Sequence, residues 1–221
     1  MLKLYSQILF LFLSLFIFAN SACLGNVNDD SVKITTVKKP TINSDDYARL
    51  KPGDYFPNII IYDTLGKVVP LDSIFVDSKG VIFVTGSYTC PNFRTTSKQL
   101  NKMVASQINT YHVYFIYIQE AHPIKGSPYG KKHDNESLNE RSSIFINQHK
   151  WLEERIFYSK KAIKDFKITA NCVIDNENND FFWKVYAGPN GFLLFGPDKK
   201  FIRYELWYNQ PNKKSKKEKE K

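Results

Sequence analysis

The chain has 221 residues, of which 43% are apolar and 15% aromatic, and this composition suits one globular domain with appendages. Its formal net charge is +9, but residues 211–221 hold +4 of that charge as six lysines and two glutamates. The remaining charge is scattered and forms no aromatic-basic RNA-binding motif, which argues against a nucleic-acid partner.

Residues 1–22 have the order of a secretory signal peptide. Lys3 precedes the apolar residues 8–19, and the small residues Ser21 and Ala22 follow. The apolar stretch is shorter than the about 20 residues that a membrane-spanning helix needs, so we expect cleavage, passage through the secretory pathway and secretion. If the segment is not cleaved, it would instead anchor the protein in a membrane.

The rest of the chain divides by composition. Residues 23–51 are polar and show no periodicity, which predicts a linker, and the Lys/Glu-rich residues 211–221 predict a disordered tail. The folded domain is therefore expected over 52–210. Three cysteines are too few for a disulfide scaffold even in an oxidising compartment, which favours a chemical use for them.

Within that domain, apolar runs alternate with segments of helical periodicity. The pattern predicts strands at 58–62, 81–84, 113–118 and 171–174, a short strand after the turn 63–67, helices over 91–108, 143–164 and 180–186, and a hairpin of 191–195 with 201–206. A right-handed crossover would place strand 113–118 parallel to strand 81–84. This order predicts an α/β protein of thioredoxin-like fold, with a central mixed sheet flanked by helices and a terminal β-hairpin.

One cysteine, Cys90, stands where a buried strand ends and a helix begins. The run 81–84 is apolar and largely β-branched, residues 86–89 break it, and Pro91 suits the first turn of a helix. A thiol there faces the free amides and the positive dipole end of the helix, so we expect a lowered pKa and a nucleophilic thiolate. A buried core cysteine is the simpler alternative, and the strand-turn-helix context favours the nucleophile.

The residues after Cys90 limit how it can react. The helix opens Cys90-Pro91-Asn92-Phe93, with no second cysteine at the spacing of a dithiol oxidoreductase. Disulfide exchange within one motif is therefore not expected. Cys90 must act as a single nucleophile that a distant thiol or an external reductant resolves.

Four segments of the chain resemble the iodothyronine deiodinase family. Residues 86–93, Gly-Ser-Tyr-Thr-Cys-Pro-Asn-Phe, resemble the family's active-site segment, in which the position of Cys90 is normally selenocysteine. The other segments are 115–123, Gln148-His149 with 152–155, and 171–175. They stand in the family's order over roughly 57–208, and such agreement is more specific than any lone motif.

The resemblance implies an oxidoreductase that removes iodide reductively from an iodothyronine or a similar halogenated aromatic molecule. Cys90, as cysteine or selenocysteine, would attack the halogen. His149 would donate the proton that the ring takes up, because a histidine titrates near neutral pH. His122 would shape the pocket, and Glu120 would orient a histidine.

The same resemblance implies the partners of the reaction. Cys172 would attack the Cys90 adduct to form a disulfide, which an external thiol reductant would then reduce. No bound cofactor is expected, and Cys23, His122 and His133 do not form a recognised metal-binding spacing. Family members commonly act as homodimers, so the resemblance implies a homodimer here.

Two departures from the family concern the substrate-binding periphery. After His122 the family usually has an acidic-Gly-Trp run, whereas this chain has Lys125-Gly126-Ser127. The family also carries arginines that hold the amino-acid end of the hormone, and Arg203, the nearest candidate here, does not align with them. The catalytic core therefore matches the family more closely than the periphery does.

The same residues also allow different roles. His122 would serve as a loop residue, His149 as a helix surface residue and Cys172 as a small core residue. A peroxiredoxin-like thiol peroxidase is the alternative enzyme, because a Thr-Cys-Pro site at a helix N-terminus also suits peroxide attack, with Arg94 as the nearby arginine. A thioredoxin-fold binding protein with an idle Cys90 is a third hypothesis.

Overall fold

The computed structural model describes residues 31–34, 42, 47–135 and 144–206. The predicted signal peptide at 1–22, Cys23, most of the predicted linker and the predicted tail at 211–221 lie outside these residues. Within the described residues, no helix combines the length and the apolar character needed to cross a membrane.

The secondary structure forms one mixed sheet with helices. The strands are β1 (Ile61–Tyr62), β2 (Gly80–Gly86), β3 (Tyr111–Tyr117), β4 (Asn171–Asp175), β5 (Phe192–Phe195) and β6 (Phe201–Glu205). The helices are α1 (Leu71–Ile74), α2 (Pro91–Gln107), α3 (Leu152–Phe166) and α4 (Asp180–Lys184), with a 3-10 turn at Lys131–His133. The six strands lie in the order β1-β4-β3-β2-β5-β6.

Three central strands are parallel and the other three are antiparallel to their neighbours. Val84 of β2 pairs with Phe115 of β3, which in turn pairs with Cys172 of β4. β5 lies antiparallel to β2 and forms a hairpin with β6. The predicted mixed sheet, the parallel pairing of β2 with β3 and the terminal hairpin are therefore confirmed. Because β2, β3 and β4 are parallel, their carboxyl ends meet at one edge of the sheet.

Both faces of the sheet are covered, which explains why β2 is buried along its whole length. On one face, Phe93 of α2 stacks on Phe115 with ring centroids 4.7 Å apart, and α3 packs beside α2. On the opposite face, Phe83 is the centre of an aromatic cluster whose other members are Phe56, Phe181 and Phe195. Ring pairs of this kind add to the free energy gained by burying apolar area.

The predicted helix over 143–164 is wrong at its start, because α3 begins at Leu152. The carboxylate of Glu154 accepts hydrogen bonds from the backbone N–H groups of residues 150–151, at 2.7 and 3.2 Å. Such a cap fixes where the first turn begins. Residues 144–150 are not helical, although their apolar spacing continues the helical pattern.

The predicted strand at 58–62 is shorter than expected, and the short strand predicted after it is absent from the described residues. Residues 63–67 form the predicted turn, in which Asp63 accepts hydrogen bonds from the backbone N–H groups of Leu65 and Lys67 at 2.7 and 2.9 Å. After the turn, only Val68 forms a bridge, and it pairs with Tyr62. The following chain enters α1, whose short length gives no periodic signal in the sequence.

Candidate active site

Cys90 lies at the edge of the sheet where the parallel strands end. It is the N-cap residue of α2, and its Sγ accepts a hydrogen bond from the backbone N–H of Phe93 at 3.4 Å. Pro91 fills the first helical position, where no backbone donor is needed. The structure therefore has the strand-turn-helix arrangement predicted around this thiol.

The Cys90 thiol is buried, with 1% of the residue exposed to solvent. Burial raises its pKa to about 12, since a thiolate loses hydration there, and the charge of Glu120 also raises it. The amides of Asn92 and Phe93 and the charge of Arg94 lower the pKa of Cys90, but they do not offset the desolvation. The predicted lowering of the Cys90 pKa is therefore wrong for the buried thiol.

Alkylation of Cys90 by iodoacetamide should be slow near neutral pH and should accelerate about tenfold for each pH unit of increase. The reason is that the thiolate fraction grows tenfold per unit below a pKa of about 12. In the urea-unfolded chain, the alkylation rate of Cys90 should instead become constant above about pH 9, because the ordinary pKa of a cysteine lies below that pH. Peptide-resolved mass spectrometry of the native and unfolded chains measures both profiles. A native rate that is already constant from neutral pH upward would contradict a buried, neutral thiol.

Glu120 is the centre of a buried polar network beside Cys90. Its Oε2 accepts hydrogen bonds from the backbone N–H and the Oγ1 of Thr89, at 2.8 and 2.6 Å. Its Oε1 accepts a hydrogen bond from the hydroxyl of Tyr117. Burial raises the pKa of Glu120, while the donors from Thr89 and Tyr117 oppose that shift. The network thus joins the carboxyl group to the residue that directly precedes the thiol.

His149 joins the same network from the segment that precedes α3. Its Nε2 lies 3.5 Å from Oε1 of Glu120, and its ring is stacked between those of Tyr117 and Tyr158. The side chain of Gln148 fixes this segment, because it accepts from the backbone N–H of Glu120 at 2.9 Å and donates to the Glu120 carbonyl at 3.1 Å. The structure therefore brings His149 and Glu120 together, next to Thr89 and Cys90.

The protonation of His149 differs from that of a surface histidine. Burial lowers its pKa to about 3, and the charge of Arg155 lowers it further, so the imidazole is neutral at neutral pH. Neither ring nitrogen has a hydrogen-bond partner among the described residues. The N–H of a neutral imidazole is a very weak acid, so Glu120, whose pKa is raised by burial, is the member of this pair that can bind and release a proton.

His122 also contacts Thr89. Its backbone N–H donates to Oγ1 of Thr89 at 3.0 Å, and its Nδ1 lies 2.9 Å from the carbonyl oxygen of His133. A carbonyl can only accept, so Nδ1 carries the hydrogen and Nε2 has the free lone pair. Burial lowers the pKa of His122, which favours this neutral form. Nε2 of His122 can therefore accept a hydrogen bond.

Cys172 is not next to Cys90. It lies at the start of β4, two strands from β2, where neighbouring strands are about 5 Å apart. Its cross-strand partner is Phe115, on which Phe93 stacks. Both thiols are free, and burial raises the pKa of Cys172. That Cys172 resolves the Cys90 adduct stays a prediction, and it requires movement of these elements.

Two tyrosines belong to the same buried core cluster as Cys90. Tyr47 and Tyr129 are buried, their rings are 5.7 Å apart, and both sense the charge of the Cys90 thiolate. Ala187 ties them together, since its backbone N–H donates to the carbonyl of Tyr47 at 2.9 Å and its own carbonyl accepts from the hydroxyl of Tyr129. Because only 1% of Cys90 is exposed, a substrate reaches the sulfur only if this buried region opens.

Several members of this site were not predicted from the sequence. Tyr117 stands three residues before Glu120 in a segment that the apolar pattern predicts only as a buried strand. Gln148 precedes His149 directly, and its residue type alone indicates no role. Tyr47 lies in the part of the chain that was predicted to be a linker, and no periodic pattern marks it.

Comparison with known proteins identifies the family. Residues 26–188 match the family model described as iodothyronine deiodinase, and this range includes all of the predicted site residues. Within the described parts of the chain, no cluster of three or more histidine, cysteine, aspartate or glutamate side chains is arranged to hold a metal ion.

Solved structures confirm the fold. The chain is similar to a candidate protein disulfide isomerase of Bacteroides thetaiotaomicron, with 16% identity, a TM-score of 0.50 and coverage of 74% of this chain and 84% of that chain. It is also similar to a hypothetical protein of Sinorhizobium meliloti, with 13% identity, a TM-score of 0.52 and coverage of 76% of each chain. These likenesses show a thioredoxin-like fold and nothing about activity.

Proposed function

The chain belongs to the iodothyronine deiodinase family, and from this premise we propose that it removes iodide reductively from an iodothyronine or a similar iodinated phenol. The observation that carries the proposal is the contact of Glu120 with both Thr89 and His149, directly beside the Cys90 thiol. This arrangement supplies a nucleophile and a proton source within one site.

The first half of the reaction breaks the carbon–iodine bond. The Cys90 thiolate attacks iodine and forms a sulfur–iodine bond, while the electron pair of the carbon–iodine bond stays on the ring carbon. That carbon takes up one proton, which completes the dehalogenated ring. Proton delivery in step with bond cleavage avoids a free carbanion, which is the contribution expected of a positioned acid.

Glu120 and His149 together supply that proton. Glu120 accepts hydrogen bonds from Thr89 and Tyr117 as a carboxylate, and burial raises its pKa, so it takes up a proton at a higher pH than an ordinary glutamate and can then deliver it. The neutral His149 imidazole can relay that proton to Glu120, because it accepts a proton on one ring nitrogen while it releases the hydrogen of the other. Thr89 Oγ1 donates to Glu120 and accepts from the backbone N–H of His122, so it connects Glu120 with the second histidine of the site. His149 therefore acts through Glu120 and not as a charged imidazolium.

His122 would bind the phenol of the substrate. Its free Nε2 lone pair accepts a hydrogen bond from a phenol hydroxyl, and that bond favours electron flow toward the ring carbon that loses iodine. The buried aromatic residues Tyr47 and Tyr129 supply an apolar wall for the ring.

An external thiol completes the cycle without a bound cofactor. One thiol displaces iodide from the Cys90 sulfur and forms a mixed disulfide, and a second thiol releases the Cys90 thiol. In total, one aryl iodide is reduced, two thiols become one disulfide, and one iodide and one proton are released. Cys172 would replace the first external thiol if it reaches the adduct. A selenocysteine at position 90 would ionise more readily than the buried thiol.

The surroundings of the reaction are part of the proposal. We propose that the protein works in the secretory pathway, secreted or held at a membrane by its uncleaved N-terminal segment. The proposed partners are the halogenated aromatic substrate, a small thiol reductant and a second copy of the chain. Nucleic acid is not among them.

The main competing function is a peroxiredoxin-like thiol peroxidase. The rate of peroxide consumption and the rate of iodide release distinguish it from a deiodinase. The native protein with excess dithiol is supplied in parallel with hydrogen peroxide and with an iodinated phenol. A deiodinase should release iodide and consume peroxide no faster than free dithiol does. Rapid peroxide consumption without iodide release would replace the proposed function with the alternative.

A further inference from the structure

Tyr88 lies in the turn between β2 and α2, two residues before Cys90, and the proposed reaction steps do not use it. It is buried, with 7% of the residue exposed. Its hydroxyl donates a hydrogen bond to Oδ2 of Asp165 on α3 at 2.6 Å. Nζ of Lys161 forms an ion pair with the same oxygen at 2.7 Å and lies over the Tyr88 ring, 5.3 Å from its centroid. These contacts between Tyr88, Lys161 and Asp165 form a latch that joins the turn before Cys90 to α3.

The protonation states of the latch favour a strong contact. The hydrogen bond from Lys161 lowers the pKa of Asp165, and the bond to Asp165 raises the pKa of Lys161, so both are charged at neutral pH. Burial and the bond to Asp165 raise the pKa of Tyr88, so the phenol keeps its proton and remains a donor. A hydrogen bond to an ionised carboxylate is stronger than one between neutral groups.

The ring of Tyr88 connects the latch with His149. It stacks on Phe166 with the centroids 5.2 Å apart, and it contacts the ring of Tyr158 at 5.9 Å. The ring of Tyr158 in turn stacks on that of His149, with centroids 5.0 Å apart and planes inclined by 9°. Because side chains in a protein interior are close-packed, a displacement of Tyr88 would also displace the ring on which the imidazole rests.

The backbone of Tyr88 reaches the buried polar network from the other side. Its N–H donates to the hydroxyl of Tyr117 at 3.2 Å, and that hydroxyl donates to Glu120. The next residue, Thr89, donates to Oε2 of Glu120 from both its backbone N–H and its hydroxyl. The position of Tyr88 is therefore coupled to both groups of the proposed proton path, the carboxyl and the imidazole.

We propose that Tyr88 is a positioning residue: anchored to α3 through the latch, it keeps the His149 imidazole and the Glu120 carboxyl in the geometry for proton delivery. This inference rests on the proposed function. The Tyr88 hydroxyl supplies no proton itself, since it is bonded to Asp165. Misplacement of a catalytic group by about 1 Å can lower a rate by about a hundredfold, so the loss of one anchoring bond should be visible in turnover.

Tyr88→Phe removes the hydroxyl and leaves the ring. It should lower kcat for iodide release from an iodinated phenol by about tenfold and change KM by less than about twofold. Tyr62→Phe is the matched control, because the Tyr62 hydroxyl also donates to a carboxylate, that of Glu177 at 3.0 Å, on β1, three strands from β2. This control should keep the native kcat. A kcat for Tyr88→Phe equal to or above that of the control would overturn the proposal.

A double-mutant cycle tests whether the hydroxyl acts through the latch. Asp165→Ala should lower kcat about as much as Tyr88→Phe does. The double variant should be no slower than either single variant, because all three lose the same hydrogen bond. A double variant about a hundredfold slower than the native protein would show that the two side chains act separately, and would overturn the proposal.

A readout without turnover separates this proposal from the proposed function. The chain has four histidines, so NMR of protein with ¹³C-labelled histidine resolves each ring, and His149→Gln assigns one of them. Tyr88→Phe should shift the Cε1–H resonance of His149, because the stacked Tyr158 ring moves, and Tyr62→Phe should leave it unchanged. If His149 shifts in this way but the native protein releases no iodide, the proposed function fails while the positioning of His149 by Tyr88 stands. An unchanged His149 resonance in Tyr88→Phe would overturn the positioning, whether or not iodide is released.

Discussion

Replacing Glu120 by glutamine should lower kcat for iodide release by about a hundredfold or more, which is the size expected when a positioned acid is lost. A glutamine side chain would keep the shape of the glutamate but not its ionisable proton. Its NH₂ group would also face a donor, either that of Thr89 or that of Tyr117, because both now donate to the carboxylate. KM should change much less, since Glu120 is fully buried and its carboxylate contacts groups of the protein.

The reactivity of the thiol separates a loss of proton delivery from a general loss of the site. The charge of Glu120 raises the pKa of Cys90, so Glu120→Gln should make Cys90 alkylation somewhat faster at a fixed pH while turnover becomes slower. Glu205→Gln, at an exposed carboxylate that is paired with Arg203, is the matched control and should stay within about twofold of the native rate. A kcat for Glu120→Gln near the native value would remove Glu120 from proton delivery.

Replacing Arg155 by methionine should reduce the free energy of unfolding by about 3–5 kcal/mol, the range for breaking a buried charged network. The guanidinium donates to the carbonyls of Asp175 and Asn176 at 2.9 and 2.6 Å, and to the side chain of Asn179 at 2.6 Å. These bonds join α3 to the loop that follows β4. Only 1% of Arg155 is exposed, so water cannot replace the lost donors.

Urea titration followed by circular dichroism measures this loss. Lys160→Met is the matched control, because Lys160 is an exposed cation on the same helix and its removal should change stability by no more than about 0.5 kcal/mol. If Arg155→Met unfolds completely, Arg155→Lys retains the charge with fewer donors and should show a smaller loss. A loss for Arg155→Met no larger than that of the control would show that the network does not stabilise the fold.

The sequence predicted the parallel strands well because their signal is local. The continuous apolar run of β2, the break at 86–89 and Pro91 together define a strand, a turn and a helix, and the structure has all three. The start of α3 was misplaced because apolar spacing before Leu152 imitates a helix, whereas the real start is set by the Glu154 cap.

Contacts between distant segments account for what the sequence did not predict. The raised pKa of Cys90 follows from burial in a core cluster that also contains Tyr47, a residue of the predicted linker. Likewise, His149 was predicted as an ordinary acid, but its pKa depends on how deeply its ring lies between Tyr117 and Tyr158. A motif in the sequence can identify Cys90 and His149 as site residues. Their protonation states depend on how the folded chain packs around them.

The role of Cys90 as the nucleophile is tested most directly by iodide release from labelled thyroxine with excess dithiol, measured in the native protein and in Cys90→Ala. Circular dichroism of both proteins confirms that the fold is retained. The native protein should release iodide with repeated turnover, and Cys90→Ala should lower the rate to that of dithiol alone. Iodide release that continues in a folded Cys90→Ala protein would contradict the assignment of Cys90 as the nucleophile.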